Sequence, residues 1–123
     1  EDLRTAAAFL DRGLDGVMIG RAAYHMPADI LGHADPVIFG RGQHTSAEEA
    51  VAAMLPYIEA HLVAGGRLNQ ITRHMMGLFA GRPGARAWRR MLSEGAHAQD
   101  AGPELVRAAL AQVPPLEEAA QEV

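Results

Sequence analysis

Residues 67–90, RLNQITRHMMGLFAGRPGARAWRR, decide how this chain is read. Six of the chain's eleven basic residues lie here: Arg67, Arg73, Arg82, Arg86, Arg89 and Arg90. No acid falls between Glu59 and Glu94, so this window carries +6 while the rest of the chain carries −10. Arg82-Pro83-Gly84 turns the chain, and the spacing beyond it predicts a helix over 85–98. On a helical projection Arg86, Arg89, Arg90 and Ser93 fall within about a 100° arc, opposite Trp88, Met91, Leu92 and Gly95. One face is basic and the other is apolar. Before the turn, Leu68, Ile71, Met75, Leu78 and Phe79 form another helical stripe, closed by Gly81.

Working outward, the remaining segments are mostly helical too. Ser46 and Glu49 form a capping box for a helix bearing Val51, Met54, Leu55, Ile58 and Leu62, which ends at Gly65-Gly66. Pro56 interrupts that stripe, and the loss of about 3 kcal/mol for an interior proline predicts a kink or two abutting helices near Met54. Pro103 at a first helical position and Glu104 behind it open a last helix with Leu105, Val106, Ala109, Leu110 and Val113 apolar. Pro114-Pro115 ends it, and the acidic residues 114–123 have few anchors, so that tail is expected to be disordered.

Towards the N-terminus, residues 2–11 read as a helix with Leu3, Ala6, Ala7 and Leu10 on one side and Gly13 to stop it. The run LDGVMIGR follows, and its consecutive Val17, Met18 and Ile19 predict a strand at 16–20 buried on both faces, as in a parallel sheet. No second strand is visible in 123 residues, and an unpaired strand is not stable alone. Its partners are expected in sequence outside the chain or in another copy, which makes self-association through this strand an open alternative. Helix, strand, then Gly20-Arg21 entering a helical turn is the pattern of a terminal α/β unit, where strand-end amides make an anion site in (β/α)₈ barrels. Gly20 for a tight turn and Arg21 as a solvated side chain is the plainer reading of the same dipeptide. Residues 28–42 carry short helical turns with glycine and proline punctuation, a connector.

Composition bounds the function. With 49% apolar residues the chain suits one modest core, or one domain plus a remnant of another. The net charge of −4 argues against indiscriminate polyanion binding, so any polyanion contact belongs to the segregated basic window. All eleven basic residues are arginine, a composition bias that also suits phosphate contacts. There is no cysteine, hence no disulfide, zinc finger or thiol nucleophile. The six histidines show no metal-ligand spacing, and no catalytic triad or carboxylate pair can be argued. No apolar run reaches the roughly 18–20 residues of a membrane span and no signal peptide opens the chain, so a cytoplasmic, membrane-free protein is expected. EDLRTAAAFLDRG begins directly on a helical pattern without Met, which predicts an excised piece of a longer protein. The acid-free arginine face suits RNA better than DNA, since no DNA-reading motif is present. A helical module meeting an acidic protein surface is the alternative. Trp88 pairs with Leu92 as a core residue.

Taken together, DGVMIGRAAY (15–24), PYIE (56–59), ITRHMMGLF (71–79) and GARAWRRMLSE (84–94) closely resemble the C-terminal third of the A-type tRNA-dihydrouridine synthases. The ITRHMMGLF and GARAWRR runs are the specific part. The resemblance implies a flavoprotein that reduces a uridine of the tRNA D-loop to dihydrouridine with FMN and NADPH, built as a TIM barrel followed by a helical tRNA-holding domain. It implies a mainly α chain: the last helix–strand–helix of the FMN-binding barrel and a connector over 1–42, then a helical tRNA-binding domain over 43–113. By the same resemblance Gly20 and Arg21 contact the FMN phosphate and Arg86 and Arg89 contact tRNA; Arg73, Arg82 and Arg90 of the acid-free window are weaker tRNA candidates. The family's catalytic acid is a cysteine in an earlier barrel loop. With no cysteine here, there is no catalytic residue in this stretch, and by itself it is expected to be inactive.

Overall fold

The computed structural model describes residues 2–116, and among them every regular element is helical. Helix α1 (Leu3–Asp11) starts where the Asp2 carboxylate accepts a hydrogen bond from the Thr5 amide at 2.8 Å, satisfying one orphan donor of the first turn. The same bond from Thr5 holds the Asp2 carboxyl below its ordinary pKa. Leu3 and Ala6 are its buried residues.

The strand expected at 16–20 does not form: the described residues contain no strand, and residues 14–20 run as irregular chain. Val17 and Met18, predicted to be buried on both faces, are exposed, Met18 at 87%. The cause is the one that made the prediction doubtful on its own terms. Strand backbone needs a neighbouring ladder, and no segment among the described residues offers one.

Two short helices follow, α2 (Arg21–His25) and α3 (Pro27–Ile30), then a 3₁₀ turn at Leu31–His33 and a π-type turn at Asp35–Phe39. These are the short turns expected of 28–42. α1 packs against the Asp35–Phe39 turn, and the Thr45 amide closes on the Gly32 carbonyl at 2.7 Å.

Helix α4 (Ala47–Val63) opens with the predicted capping box: Ser46 Oγ accepts from the Glu49 amide at 3.0 Å and Glu49 Oε1 accepts from the Ser46 amide at 3.2 Å. The helix continues as a single element through Pro56, where two abutting helices were one of the two expected outcomes. Pro56 is exposed, and so is Ala52, whose carbonyl it deprives of an intrahelical donor, so both lie on the solvent side, where the cost of keeping the helix whole is lower.

The largest departure lies in 67–81. The apolar stripe there predicts one helix, but α5 spans only Asn69–Thr72 and the rest proceeds as turns. Leu68, Ile71, Met75 and Phe79 are still buried. Tertiary bonds compete for the backbone: the Met75 carbonyl accepts from Trp88 Nε1 at 3.1 Å, and Gly77 is pressed against the backbone of His25. Helix α6 (Ala85–Gly95) starts after Gly84, which sits at φ 88 with its Cα face against Gln112 and Val113. Both the positive φ and the close approach exclude a side chain there. Helix α7 (Pro103–Leu110) begins on its N1 proline as expected.

The core joins Val51 and Ile58 of α4, Leu68, Ile71, Met75 and Phe79 of the 67–81 segment, Trp88 and Leu92 of α6, and Val106, Ala109 and Val113 of the α7 region. Trp88 is fully buried, as its spacing predicts, and meets Phe79 edge-to-face at 4.8 Å. Among the described residues no helix is long and apolar enough to cross a membrane. Of the tail expected to be disordered, residues 117–123 lie outside the described residues.

Candidate functional site

Candidate anion-binding side chains gather at three places. The first is the face of α6. Ala85, Trp88 and Leu92 are buried on one side of the helix while Arg86, Arg89 and Arg90 are exposed on the other. None of these three arginines forms an ion pair among the described residues, and Arg90 does not pair even with Glu94 one turn on. Ser93 Oγ is turned inward to the Arg89 carbonyl at 2.7 Å. Three guanidinium groups are therefore left for an external anion.

Arg82 belongs elsewhere. Its guanidinium holds both Glu48 oxygens, at 2.9 and 2.7 Å, and also donates to the Pro114 carbonyl at 3.0 Å. Its side chain is only 13% exposed and lies over the Phe79 ring at 5.1 Å. The hydrogen bonds from Arg82 hold the Glu48 carboxyl below its ordinary pKa. The Arg82 side chain thus has its charge met within the fold.

The second group surrounds Gly20 and Arg21. The irregular 17–20 segment and α1 border a cavity of about 520 Å³ lined by Asp2, Phe9, Val17, Ile19, Gly20 and Arg21 among others. Arg21 forms no ion pair among the described residues. The donor set is one free guanidinium beside a predominantly apolar wall.

The third group joins two arginines named as candidates from the sequence, Arg73 and Arg89, to Tyr24 and His25, which were not. Between α2 and the turns after α5 lies a pocket of about 210 Å³ lined by Tyr24, His25, Arg73, His74, Gly77 and Arg89. Tyr24 Oη and His74 Nδ1 are 2.7 Å apart, and Arg73 Nε donates to His74 Nε2 at 3.1 Å. The Tyr24 ring meets His25 and His74 edge-on, at 5.6 and 5.9 Å between centroids. Gly77 permits this meeting, because a Cβ there would strike the His25 carbonyl. The arrangement thus brings Arg73 and Arg89 together, while Arg86 and Arg90 lie outside the pocket. Tyr24 and His25 carry no signal in the linear pattern, being fifty residues from their partners. The glycine inside the apolar ITRHMMGLF run was the available clue that backbone approaches there.

Among the described residues, the helical fold thus presents a buried tryptophan face and an arginine face without ion pairs. Comparison with known proteins makes this specific: the dihydrouridine synthase (Dus) family model matches residues 1–114, and the chain belongs to that family. It is 59% identical over 101 residues to a tRNA-dihydrouridine(20/20a) synthase of Shewanella oneidensis, covering 81% of this chain and 30% of that protein. The corresponding protein of Vibrio parahaemolyticus is 50% identical over 102 residues, 82% of this chain and 31% of its own length. A Salmonella typhi relative of the same name is 51% identical over 100 residues, 80% of this chain and 30% of its own. The chain therefore spans about 30% of the length of the curated relatives it matches.

Proposed function

We propose that this chain is the C-terminal part of an FMN-dependent tRNA-dihydrouridine synthase and that its own task is to hold tRNA. The observation that carries the reading is the α6 face, where Arg86, Arg89 and Arg90 stand exposed and unpaired opposite a buried Trp88. Family membership supports tRNA as that anion, since the relatives are named for acting on it. Positioning a large polyanion is physically separable from the redox step. A division near residue 42 into barrel remnant and helical domain is supported by the main core, whose buried members run from Ala47 to Val113.

Gly20 and Arg21 would hold the FMN phosphate. The residues fit in part: Arg21 has no carboxylate partner among the described residues and borders a largely apolar wall, while the Asp2 carboxylate on the same wall is engaged by the Thr5 amide. FMN, when bound, supplies the hydride that reduces the uracil ring, with NADPH as the reductant that replenishes it. The chain's own residues bind and orient. Exposed Val17, Met18 and Phe9 are the surface against which preceding barrel sequence would pack. By itself the chain would be catalytically inactive, because it contains no cysteine to protonate the product.

The test is tRNA affinity of the full-length enzyme across a salt series. Arg86→Ala and Arg89→Ala are each expected to weaken binding and to lower the slope of log K against log salt by about one unit or less. Unchanged affinity and slope in both variants would refute the assignment, as would displacement of tRNA from the wild-type enzyme by an acidic protein at matched concentration.

A further inference from the structure

We propose that the pocket between α2 and the turns after α5 is a phosphodiester site for the RNA backbone, with Arg73 and Arg89 supplying charge and the Tyr24 hydroxyl a directed hydrogen bond. It rests on the tRNA reading of α6 and adds to it a site that includes α2. The hydrogen-bond chain fixes the direction of the hydroxyl. An arginine Nε–H can only donate, so His74 Nε2 accepts, the ring proton sits on Nδ1, and Nδ1–H donates to Tyr24 Oη. The Tyr24 proton is then free to point elsewhere. His74 is in this sense a positioning residue for Tyr24, and Arg73 sets its tautomer.

The lining then offers donors with no acid to meet them. No aspartate or glutamate borders the pocket, Arg73 has its terminal nitrogens without a partner among the described residues, and Arg89 forms no ion pair there. About 210 Å³ is below the size of ordinary small-molecule sites, so the pocket admits a phosphate group and not a whole nucleotide cofactor. Arg89 also belongs to the α6 face with Arg86 and Arg90. A ligand reaching both must carry several phosphates in a row, which an RNA strand does.

In the full-length enzyme, with labelled unfractionated tRNA as probe, Tyr24→Phe and Arg73→Gln are each expected to weaken binding about three- to tenfold. Arg73→Gln should lower the salt slope by about one or less, while Tyr24→Phe, which removes no charge, should leave it unchanged. His74→Ala should match Tyr24→Phe, and the double variant should lose no more than either alone, because one removes the hydroxyl and the other its orientation. Thermal midpoints measured alongside separate binding from folding, and a loss of affinity that only tracks a lost midpoint overturns the site. An effect confined to the KM of the nicotinamide reductant also overturns it, since the phosphate would then be the reductant's. If Arg86→Ala and Arg89→Ala weaken binding while Tyr24→Phe and Arg73→Gln bind as wild type, the pocket falls and the arginine face stands. If all four bind as wild type, both fall.

Discussion

Replacing Gly77 with alanine probes the junction on which α2 rests. A Cβ at this position would strike the His25 carbonyl oxygen and come within 2.8 Å of its carbon and 3.3 Å of its Cα. These are backbone atoms at the end of α2, so no flexible side chain can swing aside. Contact at ordinary carbon separation requires α2 to retreat by about 1 Å. Gly77 has no left-handed φ, so the cost is steric overpacking, about 1–3 kcal/mol, and the unyielding neighbour puts it in the upper half of that range. For a chain of this size, 2–3 kcal/mol is a fall of roughly 6–15 °C in thermal midpoint. Gly16 is the matched control: nothing lies within 4 Å of a Cβ there, and alanine at 16 should be neutral or slightly stabilising through the unfolded chain. Thermal unfolding followed by far-UV circular dichroism reads both. If Gly77→Ala melts with the wild type and with Gly16→Ala, α2 is not seated on this turn, and the pocket built from Tyr24 and Arg73 loses its geometry.

Trp88→Phe should cost about 2–4 kcal/mol in urea unfolding, because it removes the donor to the buried Met75 carbonyl and leaves a void beside Phe79; a loss under 1 kcal/mol would show the bond to be dispensable. Glu48→Gln should flatten the acid limb of stability. The folded-state pKa of Glu48 is depressed, so its contribution is present at neutral pH and is lost as pH falls through and below the ordinary carboxylate range. Glu48 is about one-third exposed, and the effect discounted for screening is about 1 kcal/mol. Parallel pH–stability curves for wild type and variant would contradict this.

The parts of the fold legible in sequence were those whose causes are local. The two faces of α6 follow from 3.6-residue spacing of Trp88 and Leu92 against Arg86, Arg89 and Arg90, and the start of α4 from Ser46 and Glu49. The turns after Thr72 were not legible, because Ile71, Met75, Leu78 and Phe79 satisfy a helical period while Trp88 Nε1 and the His25 backbone impose another course. Helical spacing says which side chains are buried; it cannot say which distant donor takes a carbonyl. Arg82 illustrates the same limit in charge. A window without acids marks it as free, yet Glu48, 34 residues upstream, meets it with both oxygens. Candidate sites follow this rule: the α6 arginines lie along one helix and could be read there, whereas Tyr24 joins His74 across 50 residues.

Arg82 has a consequence for the order of assembly. It joins the first turn of α4, 34 residues away, to the Pro114 carbonyl beyond α7, 32 residues away in the other direction. Both loops must be closed before one guanidinium can reach both partners, and closing them is entropically unrewarded until the apolar contacts around Phe79 and Val113 are in place. The clasp is therefore expected to form late, and Arg82→Met should raise the unfolding rate more than it lowers the folding rate; a chevron in which the folding limb takes most of the change would contradict this. Interactions absent from the transition state act on the rate of opening, so a residue away from the exposed arginine face would bear on how long the helical core stays shut.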